Sequence, residues 1–129
     1  MNVVDSCGWL EYFADGRNAD FFAPAIEDTA SLIVPVISLF EVFKRILQQR
    51  SENDALRAVA VMQQGRVAAL NEALALSATR LSFDLRLPMA DSLILTTARA
   101  HGATLWTQDE DFEGIAAVRY VRKTANQAD

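Results

Sequence analysis

Residues 31–49 read SLIVPVISLFEVFKRILQQ, and two kinds of hydrophobic pattern meet in this stretch. Ser31 to Pro35 is a short apolar run, which is typical of a strand covered on both faces of a parallel sheet. From Val36 onward, apolar residues recur every three or four positions, and polar residues fill the other face as far as Gln49. The stretch therefore predicts a buried strand followed directly by an amphipathic helix.

The same succession of strand and helix patterns extends to both ends of the chain. Further strands are predicted at Asn2 to Asp5 (NVVD), Arg66 to Leu70 (RVAAL), Ala103 to Thr107 (ATLWT) and Val118 to Val121 (VRYV), all buried except at the polar residue of the last. Helical spacing covers Asn53 to Gln64, Glu72 to Arg86 and Met89 to His101, with shorter helices near Gly8 to Ala14 and Asn18 to Glu27. Strands separated by such helices imply right-handed crossovers. We expect an α/β fold of three layers, α/β/α, with a mainly parallel sheet of about five strands.

Composition sets limits on the class of protein. The 129 residues are 51% hydrophobic and 22% charged, which fits one globular domain over residues 1–129 and argues against a disordered chain or a disulfide scaffold. The sequence shows no secretory signal and no apolar run long enough to span a membrane, and the single cysteine, Cys7, has no internal partner. These features predict a cytoplasmic protein without a membrane role.

The net charge of −5 has the wrong sign for a diffuse basic surface that binds nucleic acid. The charge is neutral once five candidate ligand acids, described next, are set aside. Net charge therefore neither supports nor excludes a nucleic-acid substrate.

Five acids fall where an open α/β sheet gathers its functional groups, at the carboxyl ends of strands and the starts of the following helices. Asp5 closes the first strand, and Glu41 is expected in the first turn of the helix after the second. Asp91 lies in the first turn of a helix opened by Pro88. Asp109 and Asp111 follow the fourth strand. We expect all five at one edge of the sheet.

Taken singly, these acids also have purely structural interpretations. Ser38 and Glu41 fit a capping box, Asp91 suits the positive end of a helix dipole, and Asp109 and Asp111 suit a turn. Their convergence favours a functional interpretation, because clustered carboxylates repel one another unless their pKa values rise or a cation binds.

The residue types indicate which cation such a cluster would select. Carboxylates without a set of His or Cys ligands favour Mg²⁺ or Mn²⁺ over Zn²⁺. His101 is expected to be an ordinary helix-end residue, and Cys7 a small packing residue rather than a nucleophile. Ser6 and Thr107 place hydroxyl groups beside the acids, where they can orient a ligand.

Five short motifs together resemble one known family. They are Val4-Asp5-Ser6, Trp9-Leu10-Glu11-Tyr12-Phe13, Ser38-x-x-Glu41-Val42, Leu87-Pro88-x-Ala90-Asp91-Ser92-Leu93-Ile94 and Leu105-x-Thr107-x-Asp109-x-Asp111-Phe112. In order and spacing this set resembles the PIN domains of VapC toxins over nearly the whole chain. No single motif is decisive, but the five in sequence are a specific signal.

The resemblance implies a function and a set of roles. It implies that Asp5, Glu41, Asp91 and Asp109 form a catalytic quartet holding one or two Mg²⁺ or Mn²⁺ ions, with Asp111 as an auxiliary acid and Thr107 in support. It further implies an RNA substrate, commonly tRNA or rRNA in VapC toxins, a homodimer and inhibition by a small VapB-like antitoxin. Cys7 and Phe43 depart from the residues common in the family, but neither belongs to the quartet.

An acidic site also suggests how an antitoxin would inhibit. A guanidinium group can bind two carboxylates at once, so an arginine from the partner can take the place of metal or substrate. The helices at Val36 to Gln49 and Asn53 to Gln64, with Phe43, Ile46 and Leu56, are expected to form the groove that holds the partner's apolar segment.

Two other functions fit parts of the pattern. A receiver-like signalling domain also gathers acids and Mg²⁺ at strand ends, but it would carry an aspartate at the end of a central strand, whereas the third strand here ends in Ala68-Ala69-Leu70. A PIN-type scaffold that binds RNA or a partner without catalysis is the second alternative, and the complete quartet argues against it.

Overall fold

The computed structural model describes residues 1–124, so the last five residues of the predicted domain lie outside the described part. Its strands are β1 (Asn2–Val4), β2 (Leu32–Pro35), β3 (Arg66–Ala68), β4 (Thr104–Thr107) and β5 (Val118–Tyr120). Its helices are α1 (Ser6–Phe13), α2 (Ala19–Glu27), α3 (Val36–Gln49), α4 (Glu52–Met62), α5 (Glu72–Leu85) and α6 (Met89–Ala100), with short 3₁₀ helices at Thr29–Ser31 and Glu110–Phe112. Every predicted strand and helix is present, which confirms the α/β fold.

The five strands form one sheet in the order β3-β2-β1-β4-β5, and every neighbouring pair is parallel. The chain builds the sheet outward from β1 through β2 to β3, then returns to the other side of β1 to add β4 and β5. The direction of winding therefore reverses between β1 and β4. In open α/β sheets, ligands bind at such a reversal, outside the carboxyl ends of the strands.

Alternate residues of the central strands belong to two separate cores, one on each face of the sheet. Val4 and Val34 pack with α1, α2, α3 and α4, while Val3 and Ile33 pack mainly with α6. All four side chains are fully buried. The result is the expected sandwich of helices, sheet and helices.

The two outermost strands are less buried than their sequences suggested. In β3, Arg66 and Val67 are exposed and Ala68 is half-buried, and β5 has a similar mixed pattern. Both strands lie at an edge of the sheet, where the helices cover them only in part. The prediction of burial was wrong for β3 and for Val118 and Tyr120 of β5, because an apolar run does not indicate its position in the strand order, whereas Arg119, the polar exception, is exposed as expected.

The helix that follows β1 sits unusually close to its neighbours. A Cβ atom at Gly8 would lie 2.6 Å from the ring of Phe22 and 2.8 Å from Val4. Glycine thus allows α1 to pack tightly between α2 and β1, which fixes the turn where β1 ends and α1 begins.

Helix α6 is the most enclosed helix, with every residue from Ser92 to Ala98 buried. It packs on α5 and on the central strands, so its first turn is held at the carboxyl edge of the sheet. Within residues 1–124, no helix is both long and apolar enough to cross a membrane.

Candidate active site

All five predicted acids lie at the carboxyl edge of the sheet, around the reversal between β1 and β4. Asp5 directly follows β1 and caps α1, while Asp109 follows β4 and caps the 3₁₀ helix that contains Asp111. Asp91 lies in the first turn of α6, as predicted, and Glu41 comes from α3. Four separate segments of the chain thus deliver carboxylates to one place.

The tightest group within this cluster consists of Asp91, Asp109 and Asp111. Each offers one carboxylate oxygen, and these three atoms lie within 4.8 Å of one another. Asp91 and Asp109 are half-buried and Asp111 is exposed. Asp111, which was expected to be only an auxiliary acid, therefore belongs to this closest group. The 3₁₀ helix turns Asp111 back beside Asp109.

Asp5 forms the buried floor of the cluster, with an exposed fraction of 3%. Its carboxylate accepts hydrogen bonds from the Ser6 amide at 2.8 Å, the Thr107 hydroxyl at 2.8 Å and the Cys7 thiol at 3.3 Å. Burial raises the pKa of Asp5 to about 6 despite these three donors. The fold holds the carboxyl group where its ionised form is costly.

The pKa of Asp91 responds to the charges of all four other acids. Burial, followed by the negative charges of Asp5, Asp109, Asp111 and Glu41, raises the pKa of Asp91 to about 7. A carboxyl group perturbed in this way by four neighbours shows that the five acids share one electrostatic environment. The convergence expected from the sequence is therefore present in the fold.

Thr107 connects the two sides of the reversal. Its hydroxyl donates to Asp5 Oδ2 at 2.8 Å and accepts from the Asp109 amide at 2.9 Å. Both hydrogen bonds use the same fully buried oxygen, so Thr107 fixes the carboxylate after β1 relative to the loop after β4. Thr107 thus lies beside both acids, as its place in the sequence predicted.

Glu41 is held by Ser6 rather than by a capping box. Helix α3 starts at Val36 with Pro35 as its N-cap, which places Ser38 inside the helix and Glu41 in the second turn, not the first. Ser6 donates its hydroxyl to Glu41 Oε1 at 2.7 Å and lies 3.2 Å from Ser38 Oγ. The capping-box interpretation is wrong, because the helix begins earlier than the Ser-x-x-Glu spacing suggests.

The donor set fits a hard divalent cation. The triad offers only carboxylate oxygens, the ligands that Mg²⁺ and Mn²⁺ prefer. His101 lies at the end of α6 with Nδ1 2.9 Å from the Thr97 carbonyl, an ordinary helix-end contact. Burial, together with the charge of Asp5, raises the pKa of the Cys7 thiol far above its usual range, which disfavours a thiolate at this position.

The structure also shows polar residues that the sequence did not single out. The side chain of Asn18 donates through Nδ2 to Gln108 Oε1 at 2.9 Å and to the Arg122 carbonyl at 3.1 Å. The backbone amide of Asn18 donates to Glu11 Oε2 at 2.9 Å. Gln108 is buried beside Asp109. No sequence motif marks this network, because its members are separated by up to 104 positions.

A second surface feature is an apolar groove of about 270 Å³ between α1, α3 and α4. Ile46 lines it, as predicted, together with Leu10 and Phe13 of α1. Phe43 and Leu56 are not part of its wall, and Leu56 is 52% exposed. The predicted pair of helices is thus confirmed as two walls, while the third wall, α1, was missed because its approach depends on the tertiary packing.

Comparison with known proteins places this geometry in a family context. Residues 3–118 match the PIN domain family. No curated protein sequence is significantly similar to the chain. Among solved structures, a toxin–antitoxin complex from Klebsiella pneumoniae contains a chain with a TM-score of 0.79 and 22% identity, in an alignment that covers 92% of this chain and 96% of that chain.

Two further solved structures have the same fold. The toxin VapC20 from Mycobacterium tuberculosis, described as cleaving the sarcin-ricin loop, gives a TM-score of 0.74 at 15% identity and covers 90% of this chain and 95% of its own. A DNA-bound VapBC from Salmonella typhimurium gives 0.72 at 15% identity, with coverage of 95% and 97%. At these identities the shared property is the fold.

The strand order of the sheet excludes the receiver-like alternative. Receiver-type doubly wound sheets have the strand order 2-1-3-4-5, whereas the order here places β3 at the outer edge. That edge strand ends at Ala68, without a carboxylate.

Proposed function

The chain belongs to the PIN domain family, and we propose that it is the toxin of a type II toxin–antitoxin pair, a ribonuclease that hydrolyses RNA phosphodiester bonds with Mg²⁺ or Mn²⁺. The observation that carries this proposal is the convergence of five carboxylates at the carboxyl edge of the sheet. Oxygens of Asp91, Asp109 and Asp111 lie within 4.8 Å of one another, and Asp5 and Glu41 are held there by hydrogen bonds from Thr107 and Ser6. The fold shared with toxin–antitoxin proteins supports the same function. We further propose that residues 1–129 form a single domain and that the protein acts in the cytoplasm.

The cation would be held by Asp91, Asp109 and Asp111, with Asp5 and Glu41 close enough to contribute their charge. A divalent cation bound there lowers the pKa of a coordinated water and neutralises charge on a phosphodiester. The carboxyl groups must lose their protons to act as ligands. The bound cation then offsets the repulsion among the resulting negative charges, which contributes to its binding free energy.

The chain's own residues provide positioning. Thr107 holds Asp5 and Asp109 at a fixed separation, and Ser6 holds Glu41 against the same floor. Because the three supporting hydrogen bonds are short and at least partly buried, the carboxylates are arranged before any ligand arrives. Catalysis by a preorganised charge arrangement avoids reorganising the site during the reaction.

The inhibitor in this proposal is a VapB-like antitoxin with an apolar helix and an arginine. Its helix would occupy the groove beside Ile46, and the arginine would reach the carboxylates and bind two of them with paired hydrogen bonds. Arg50 and Arg57 also line the groove and outnumber its one acid, Asp54, so acidic residues on the antitoxin helix would complement it. Replacing the inserted arginine by alanine should restore cleavage in the complex more than changing rim charges does.

A homodimer is the second assembly that we propose. Apolar side chains remain exposed on α3, α5 and the start of α6, among them Phe40 at 62%, Leu76 at 67%, Phe83 at 80% and Met89 at 73%. Contiguous exposed apolar patches mark protein interfaces, so we propose that these residues lie together at a dimer interface. A second copy of the chain would bury them.

The proposed function is tested by RNA cleavage with antitoxin-free protein. Wild-type protein should cleave total cellular RNA with Mg²⁺ or Mn²⁺, and excess chelator should stop the reaction. Asp91→Asn should be inactive and should not arrest growth when its gene is induced, and Asp5→Asn should behave likewise. Asp84→Asn, the same change on the exposed face of α5, should remain active.

Two results would contradict the proposal. Cleavage that continues undiminished in excess chelator would exclude the metal requirement. RNA binding by wild-type protein without cleavage in either metal would favour the PIN-type scaffold, the remaining alternative.

A further inference from the structure

A second cleft adjoins the acid cluster, with a volume of about 790 Å³. Its walls are formed by Cys7, Gln108, Asp109, Glu110, Glu113, Tyr120, Arg122 and Lys123. Asp109 belongs to both the cleft and the carboxylate triad, and Cys7 Sγ lies 3.3 Å from Asp5 Oδ2. Whatever occupies this cleft is therefore next to the reacting centre, and its volume is within the range of small-molecule sites.

The fold holds the walls of the cleft in place. The Val121 amide donates to the Thr107 carbonyl at 3.0 Å. This hydrogen bond keeps the segment after β5 next to the segment after β4. Asn18 then joins these two segments through its contacts with Gln108 and the Arg122 carbonyl. Since Gln108 Oε1 is occupied by Asn18, the Nε2 group is the part of this amide left for a ligand.

The chemistry of the cleft matches one nucleotide of an RNA strand. Tyr120 is half-buried and offers a ring on which a base can stack, a contact that every base can make. Arg122 and Lys123 are exposed cations, and neither forms an ion pair with an acid of residues 1–124. Such cations can hold a backbone phosphate.

The opposite wall favours a nucleoside over a free polyanion. Glu110 and Glu113 accept hydrogen bonds and would repel a cluster of phosphates, but they suit the amino and imino groups of a base. Partial desolvation and then the charges of Glu113 and Glu110 raise the pKa of Tyr120. Since a tyrosine hydroxyl is protonated at neutral pH even without such a shift, it can act as a donor.

We propose that this cleft is a nucleotide subsite, in which Tyr120 stacks a base of single-stranded RNA next to the scissile phosphate, Gln108 donates to that nucleotide, and Arg122 and Lys123 hold its phosphate. The subsite rests on the proposed ribonuclease function. Asn18 is a positioning residue, because it acts through Gln108 and the backbone of Arg122.

The test uses steady-state cleavage of a fluorescent, random-sequence, single-stranded RNA oligonucleotide pool by the full-length protein with Mn²⁺. Tyr120→Ala should raise KM about tenfold with little change in kcat, the size expected for a lost base-stacking contact. Tyr120→Phe keeps the ring and should restore most of the affinity. Tyr12→Ala, the same truncation on α1 outside the cleft, should leave KM unchanged.

The role of Asn18 is tested by a double-mutant cycle. Asn18→Ala and Gln108→Ala should each raise KM, and the double variant should raise it by less than the two single effects combined, because part of the effect of Asn18 passes through Gln108. Additive effects on KM would show that Asn18 does not act through Gln108. Melting temperatures of all variants separate a loss of binding from a loss of folding.

Binding of the same RNA pool to Asp91→Asn protein, measured by fluorescence anisotropy, keeps the two proposals distinguishable. If the wild type does not cleave RNA but Tyr120→Ala still weakens binding, the ribonuclease proposal fails and the subsite stands. If the wild type cleaves and Tyr120→Ala changes neither KM nor RNA affinity, the subsite is wrong. Weaker binding of an arginine-containing antitoxin peptide without any change in RNA binding would likewise overturn it and assign the cleft to the inhibitor.

Discussion

Removing one charge from the acid cluster should make the metal-free protein more stable. Burial and four neighbouring carboxylates raise the pKa of Asp91 from 3.8 to about 7. At about 1.4 kcal/mol per pKa unit, this shift corresponds to at most about 4 kcal/mol above pH 7. Asp91 is only half-buried, so solvent screening reduces the expected gain from Asp91→Asn to about 1–2 kcal/mol, or about 3–8 °C in Tm.

The direction of the pH dependence follows from the same shift. Between about pH 4 and pH 7, the folded protein retains a proton on Asp91 that the unfolded chain releases, so wild-type stability falls as pH rises through this range. Above about pH 7 the loss is complete. The stabilising effect of Asp91→Asn should therefore be full at about pH 8 and should shrink as pH falls toward 4.

Thermal melts in excess chelator at about pH 8 and about pH 5 measure this effect. Asp84→Asn is the matched control, because Asp84 is exposed, lies on α5 and is paired with Arg80 at 3.2 Å, so its removal relieves no repulsion. Saturating Mn²⁺ should stabilise the wild type more than Asp91→Asn. An Asp91→Asn variant that melts no higher than the wild type at pH 8, or whose gain is equal at both pH values, would refute the repulsion among these acids.

Four further changes probe the site and its scaffold. Thr107→Val removes the hydroxyl between two acids and should lower the free energy of unfolding by about 1–3 kcal/mol in urea melts, while Thr107→Ser should recover most of it. Gly8→Ala should cost about 1–3 kcal/mol by overpacking, and an unchanged urea midpoint would show that α1 can move. Phe83→Asp should convert a dimer to a monomer in light scattering, and a dimer that persists would place the interface elsewhere. At limiting Mg²⁺, cleavage should rise between about pH 6 and pH 7, because protonated Asp91 is a poor ligand, and a flat profile would contradict this.

Local patterns were enough to locate every strand and α-helix of the described residues, but neither of the two short 3₁₀ helices. The change of period at Pro35 marks the end of β2 and the start of α3, because strand and helix bury apolar residues at different intervals. Errors arose where local pattern and tertiary context disagree. The apolar run at β3 resembles a buried strand, yet its place at the sheet edge leaves Val67 exposed.

The sequence predicted which acids lie at this edge of the sheet, but not how they are arranged there. Asp5, Asp91 and Asp109 are recognisable from the sequence, because carboxyl ends of parallel strands and starts of their helices must meet at one edge. Which acids lie closest together could not be predicted, since that depends on the turn of the 3₁₀ helix that brings Asp111 beside Asp109.

The sequence by itself determined the α/β class and the placement of the five acids at one edge of the sheet, because these follow from periodicity and chain order. Only the tertiary structure decided the strand order, the perturbed pKa values and the contacts of Asn18 with Gln108 and Arg122. The physical reason is separation along the chain. Burial, repulsion and hydrogen bonding depend on distances in space between residues that may be as far apart as Asn18 and Arg122, and no local pattern records such distances.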